Sequence, residues 1–218
     1  MWVIPEITPE FIERMEHVLD LYVKPYNPKE PVLCLDEKSK QLLENTKPVI
    51  PMRQGAERKA DYEYKRCGTS NIFMAVEPKG GYRTAKVTHR RTKRDFAHEI
   101  RRIIDLPRYQ NIKKLHIVLD NLNTHFEKSL YDTFSKQETR RVLSKVQFHY
   151  TPKHASWLNM AEIELSILGR QCLNRRIPDA SMLTHHLRVW QARRNKHHSK
   201  INWRFTKQDA RNTFKYNT

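Results

Sequence analysis

Glycine is scarce in this chain, with five residues in 218. No segment has the glycine-rich pattern that cradles a nucleotide's phosphates, which excludes a nucleotide-driven enzyme of that design. Cysteine is rarer still: Cys34, Cys67 and Cys172 are odd in number and show neither CxxC nor Cys/His finger spacing. That excludes a disulfide-stapled or zinc-finger design and implies reduced thiols. Long apolar runs are missing too, since "IFMAV" and "IVL" fall far short of the roughly 20 residues a spanning helix needs. The opening "MWVIPEITPEF" has neither the charged start nor the apolar region of an export signal, so a cytoplasmic protein without a membrane partner is expected. Acidic residues are in deficit as well, 24 against 41 Lys plus Arg, for a net charge of +17. A surplus of that size favours a polyanionic partner, nucleic acid ahead of a membrane surface. What is present suffices for a core: 38% of residues are hydrophobic, which argues against global disorder. The length allows one sizeable domain plus extensions.

Residues 8–23 predict a helix, with Thr8 as N-cap, Pro9 at the first helical position, and Phe11, Met15, Val18, Leu19 and Tyr22 on one stripe. "KPYNPKEP" ends it. "VLCLD" (32–36) reads as a short strand covered on both faces, and 37–70 as polar and irregular. "NIFMAVE" (71–77) and "YRTAKVT" (82–88) form a hairpin signal, with Gly80 and Gly81 free to supply positive φ in the turn. A helix is expected over 92–106 with Phe96, Ile100, Ile103 and Ile104 inward, then a strand "KLHIVLD", a helix around 126–138 and a strand over 145–151. A long helix is expected from a Ser156 cap through "WLNMAEIELSILGRQCLNRR", with basic helical sequence past Pro178. This order predicts an α/β fold: an antiparallel meander followed by parallel additions.

Two predicted strands end in aspartate, Asp36 and Asp120. Side by side in one sheet and running the same way, they deliver both carboxylates to one edge. Two like charges held together require a cation, and aspartate oxygens suit Mg²⁺ or Mn²⁺. A hard-cation site in a basic chain points to phosphodiester chemistry, for which two metal ions are the standard physical solution. A third carboxylate is then needed. "NMAEIE" offers Glu162 and Glu164, about 200° apart on a helical wheel, and periodicity leaves both open.

Taken together, "LCLDE", "DYEYKRCGT", "VLDNLNTH" and "TPKHASWLNMAEIE" resemble the catalytic domain of the insertion-sequence-630 family of bacterial transposases, which is related to the mariner superfamily. The resemblance spans roughly residues 5 to 210. It implies an RNase H-like fold, here a mixed five-stranded sheet with flanking helices. It also implies an Asp-Asp-Glu triad on Asp36, Asp120 and Glu162, because the family's glutamate closes an Asn-x-x-Glu motif. The triad would hold two Mg²⁺ (or Mn²⁺) ions as both metal-ligating and catalytic groups. The implied activity is metal-dependent cleavage of DNA and strand transfer. The implied partners are double-stranded transposon ends and target DNA, in a homodimer, in the bacterial nucleoid. The expected organisation is an N-terminal linker helix (1–30), the catalytic domain (31–178) and a basic helical C-terminal extension (179–218).

Further residues are candidates for DNA contact. Arg66, His125 and His154 lie within the motifs, where a histidine can donate to an anionic oxygen or orient water. The basic stretches 89–102 and 193–211 supply Arg90, Arg91, Lys93, Arg94, Arg193, Arg194 and Lys196 for backbone phosphates. Trp203 and Phe205 either stack on a base or pack the last helix onto the domain. Asn121 and Asn123 either shape the turn or touch the site. Glu37 is set aside as a ligand, because successive strand residues face opposite ways. Members of the family resemble one another in carrying helix-turn-helix modules ahead of the catalytic part, and Met1 here opens directly on the linker helix. Two rivals stand beside the transposase reading: a non-catalytic DNA-binding remnant, and another RNase H-like nuclease.

Overall fold

The computed structural model describes residues 6–120 and 127–216. Helix α1 (Pro9–Val23) is followed by three strands, β1 (Val32–Asn45), β2 (Tyr64–Glu77) and β3 (Tyr82–Thr88). Next come α2 (Lys93–Ile104), β4 (Leu115–Leu119), the short α3 (Lys128–Tyr131), α4 (Lys136–Lys145) and β5 (Val146–Tyr150). The chain closes with α5 (Ala161–Leu168), which runs on into one π turn (Gly169–Leu173), then α6 (Ala180–Lys196) and α7 (Lys207–Phe214). Strand order is β3-β2-β1-β4-β5. The β1–β2 and β2–β3 pairs are antiparallel, while β1–β4 and β4–β5 are parallel. The mixed five-stranded sheet with flanking helices is the one expected. Among the described residues, no helix is long and apolar enough to cross a membrane.

Local chemistry explains most boundaries. Thr8 Oγ1 accepts the Phe11 amide at 3.2 Å, and Pro9 sits where a missing N–H costs nothing. Thr92 and Asp95 form a reciprocal capping box at the start of α2. Of the two turn glycines, Gly81 supplies the positive φ (64°), while Gly80 does not.

Several elements depart from expectation. Strand β1 does not stop at Asp36; it continues nine residues further, paired with β2 as a two-stranded ribbon that also absorbs part of the segment read as irregular. The ribbon is largely exposed on both faces, so it carries no apolar signature. The helix expected around 126–138 is split: the single turn α3 lies inside that range, and the longer α4 begins only at Lys136, where Ser135 accepts the Glu138 amide. The long helix expected from Ser156 begins only at Ala161. Ser156–Leu158 is a 3₁₀ turn, and no Ser156 cap forms.

Side-chain alternation divides the core between the two sheet faces. Leu33, Leu35, Phe73, Ile117 and Leu119 face α2, α3 and α4 and meet Phe96, Ile100, Ile103, Leu130 and Val142. Cys34, Val76 and Val118 face the other way, against α1 and the Leu158–Ala161 corner, while Ile72 and Met74 meet α5 and α6. Each fully buried aliphatic or aromatic side chain contributes roughly 1.5–3 kcal/mol, so both layers lock the central strands in register. Trp203 lies 5.4 Å from Tyr22, and its Nε1 donates to Phe205 O at 2.8 Å; both aromatics belong to this second layer, the packing alternative.

Candidate active site

The parallel register between β1 and β4 sets the site. Val32 lies beside His116, Leu33 beside Ile117 and Cys34 beside Val118. Continuing that offset brings Asp36 alongside Asp120. Asp36 is two residues past Cys34 and Asp120 two past Val118, so both carboxylates belong to the sheet face on which α1 and α5 lie. Strand β4 ends at Leu119, and the Asp36 side chain therefore sits where its parallel neighbour runs out.

The third carboxylate is brought by Asn159. This fully buried side chain donates from Nδ2 to Leu35 O at 2.9 Å, and its Oδ1 accepts the Ala161 amide at 3.1 Å. Its backbone carbonyl also accepts the Glu162 amide at 3.1 Å. One amide thus ties the start of α5 to the residue preceding Asp36. The sequence reading noted the Asn-x-x-Glu motif but gave its asparagine no role. The available signal was an amide three residues before a helical glutamate in an otherwise apolar corner, where a buried amide must find partners.

Asp36 is 7% exposed, Asp120 half-buried and Glu162 exposed. Burial, and then the charges of Glu162 and Asp120, raise the Asp36 carboxyl from 3.8 to about 7; the Glu37 amide, donating to Oδ1 at 2.7 Å, works against that rise. The three carboxylates are therefore electrostatically joined. They are not a preformed cage: among the described residues, no three His, Cys, Asp or Glu side chains are gathered for a metal ion. The donor set nonetheless fits a hard divalent cation, being all oxygen, on one face, and destabilised by its own like charge.

Glu164 lies elsewhere. Fully buried, it receives Arg194 in a fork (Nε–Oε1 and Nη2–Oε2, both 2.9 Å), and Arg83 Nε stands 2.9 Å from Oε1. Arg83 is itself fully buried and donates onward to Ser199 O at 2.5 Å and Gly81 O at 3.2 Å. The two glutamates that periodicity left open thus have different surroundings: Glu162 is exposed and its charge acts on Asp36, while Glu164 is held by two guanidinium groups.

Of the DNA-contact candidates, Arg90, Arg91, Lys93 and Arg94 are exposed around the N-terminus of α2, Arg66 on the β1–β2 ribbon, and Arg193 and Lys196 on α6. Arg194 is half-buried, with its fork committed to Glu164. His154 is exposed and has left-handed backbone (φ 60°) just past β5. His125, Asn121 and Asn123 lie outside the described residues. The structure sets Asp36 and Asp120 on one sheet face with Glu162 near enough to act on Asp36, without gathering the three around one point, and it spreads the basic candidates over separate surfaces. All three cysteines are free thiols.

Comparison with known proteins fits this geometry. The crystal structure of the Mos1 mariner paired-end complex with Mn superposes with a TM-score of 0.56 at 16% identity, over 91% of this chain and 60% of that one. The pre-cleavage Mos1 transpososome gives 0.55 at 13% identity, over 91% and 64%. The Mos1 strand transfer complex gives 0.54 at 14% identity, over 91% and 59%. At such identities the likeness concerns the fold, and the RNase H-like arrangement expected from the sequence is the fold these chains share. This chain spans about three fifths of their length. No curated protein sequence matches it. Residues 31–184, well over half of the chain, match the model of one family, described as DDE superfamily endonuclease. By that match, the chain belongs to the DDE superfamily endonucleases.

Proposed function

We propose that this chain is the catalytic part of a DDE transposase of the insertion-sequence-630 type, cutting DNA at an element's ends and joining the freed 3′-hydroxyl to target DNA. One observation carries the reading: the register of β1 against β4 sets Asp36 beside Asp120 on the face where Asn159 presents Glu162, close enough for each to raise the Asp36 carboxyl. Asp36, Asp120 and Glu162 are the proposed ligands of two divalent cations, Mg²⁺ or Mn²⁺. Bound there, the ions would supply Lewis-acid polarisation of the scissile phosphodiester and of its attacking oxygen. The chain's own residues hold the site. Strands β1 and β4 fix two carboxylates on rigid backbone, Asn159 sets the third, and burial of Asp36 strengthens its attraction for a cation. The exposed basic faces around α2 and on α6 supply sequence-independent attraction for double-stranded DNA. The mariner structures are described as paired-end and strand transfer complexes. By analogy we propose transposon ends and target DNA as partners here, in a homodimer within the bacterial nucleoid.

The test is nicking of supercoiled plasmid at low salt by the wild-type protein and by Asp120→Ala. Nicking that requires Mg²⁺ or Mn²⁺ and is lost in the variant supports the triad. Equal DNA binding by both proteins, with no nicking under either metal, sinks the enzyme reading and leaves a DNA-binding remnant.

A further inference from the structure

A second concave site lies away from the carboxylates, between the π turn after α5 and the outer side of α6. It is a cavity of about 550 Å³ whose walls include Arg175, Arg193, Arg194, His185, His197 and Trp190. Among the described residues, no acidic side chain lines it. Arg175 and Arg193 are exposed and form no ion pair among the described residues. Arg194 spends Nε and Nη2 on Glu164, which leaves Nη1 for another acceptor. Its guanidinium also lies 5.8 Å from the Trp190 ring, a contact that holds the group in place. The C-terminal end of α6 reaches this site, and its dipole disfavours an anion there; three basic residues in that last turn, Arg193, Arg194 and Lys196, outweigh it.

We infer that this pocket seats a stretch of DNA backbone, with Arg175, Arg193 and Nη1 of Arg194 as its phosphate contacts. The inference rests on the DNA-processing reading above and adds a defined contact surface to it. The chemistry is that of phosphodiester recognition, with planar donors around a water-accessible hollow too large for one phosphate and a carboxylate-free wall. The site is also joined to the carboxylate cluster. Glu164 shares the first turn of α5 with Glu162, so the guanidinium that meets the phosphate also braces the helix of the proposed third ligand.

The experiment measures binding of a fluorescent duplex by anisotropy across a salt series, in EDTA, with the 218-residue chain. Working without divalent metal separates this test from the nicking assay, so a wild type that fails to nick leaves it intact. Arg175 and Arg193 are exposed, and the R175E/R193E protein is checked for an unchanged thermal midpoint. The comparison protein is K136E/R140E, which carries the same charge change on the exposed side of α4, a face given no part in DNA contact. The pocket variant is expected to bind roughly tenfold or more weaker, with a log K against log salt slope shallower by about 2, one unit for each lost phosphate contact. Equal weakening by both charge reversals would show that net charge alone acts, and would overturn the pocket. Inorganic phosphate that, at matched ionic strength, weakens wild-type binding no more than it weakens the pocket variant's would overturn it as well, since donors that seat a backbone phosphate must also feel a competing one.

Discussion

Glu162 and Glu164 share one turn of helix and live in opposite electrostatic worlds. Glu164 is fully buried, yet two guanidinium groups and their onward hydrogen bonds neutralise it. Glu162 is exposed and faces Asp36 and Asp120, whose charges have the same sign as its own. A buried ion that is fully paired is a structural solution, whose value lies in not leaving a partner uncompensated. A carboxyl raised by burial and by like-charged neighbours, as Asp36 is, is a strained arrangement, of the kind that occurs where chemistry is done. Two residues of spacing suffice to pass from one to the other, because a helix turns about 200° over that distance.

The largest expected effect is on the paired side. Glu164→Ala leaves Arg83 buried without a carboxylate, and should cost about 3–5 kcal/mol of stability by denaturant unfolding. A loss below about 1 kcal/mol would mean that water compensates Arg83 and that the network is not structural. On the side of like charges the ranking reverses. Glu162→Gln should reduce metal-dependent nicking on the order of a hundredfold or more, while the unfolding midpoint stays within about 0.5 kcal/mol of wild type, as for other exposed substitutions. Retained nicking in Glu162→Gln would remove it from the proposed ligands. Between these lies Asn159→Ala, which frees the Leu35 carbonyl and the first amide of α5. We expect it to lower stability by about 1–3 kcal/mol and nicking alongside, through misplacement of Glu162. Circular dichroism melts beside the nicking assay read both.

How legible was this from sequence? Strand β3 and the buried stripe of α1 carry complete local signals, namely alternation and a capped apolar face, and the structure has them at the expected positions. The antiparallel meander with parallel additions was legible from the order of strands and helices, because parallel additions need helical crossovers; which strand β4 joins was not, since that is decided by the tertiary β1–β4 pairing. The distal half of β1 was invisible, since its partner is a single antiparallel strand and its residues are solvated on both sides. The break at Asn159 was also missed. A helix pattern from Ser156 onward is continuous in hydrophobicity, and only the tertiary partner, Leu35 O, explains why the helix starts at Ala161. The choice between Glu162 and Glu164 came from the motif, and the reason for it, two arginines distant in sequence, is tertiary.

The like-charged cluster should also respond to charge removal. The folded Asp36 carboxyl titrates near 7 against 3.8 ordinarily, so its contribution to stability is greatest below 3.8 and is lost as pH rises through 7. At pH 8, Asp36→Asn should therefore be more stable than wild type, by about 1–2 kcal/mol once relaxation is allowed for. Mn²⁺ should raise the wild-type midpoint and leave that of the variant nearly unchanged, since only the ionised cluster gains from a cation. A less stable Asp36→Asn protein would argue that unmodified Asp36 is held by favourable contacts instead of strained by its neighbours.

The smallest expected effect tests the same reasoning with the opposite sign of charge. His149 on β5 is nearly buried between His17 of α1 (2.7 Å) and His116 of β4 (2.9 Å), with Lys24 adding to the positive surroundings. Burial first, and then the His116 and His17 rings, depress its pKa from 6.5 to about 3. A base whose folded pKa is depressed contributes stability that is present above 6.5 and lost as pH falls toward 3, because the unfolded chain takes up the proton and the folded chain does not. Between pH 6.5 and 5, His149→Gln should flatten the fall in unfolding free energy by about 1 kcal/mol relative to wild type. Urea titrations at the two pH values measure it. Parallel pH dependences in the two proteins would mean that the three-imidazole chain accepts a proton in the folded state, with the charge shared between His17 and His116. In that case burial alone does not fix the protonation of a titratable cluster here, and the strain assigned to Asp36 would have to come chiefly from its carboxylate neighbours.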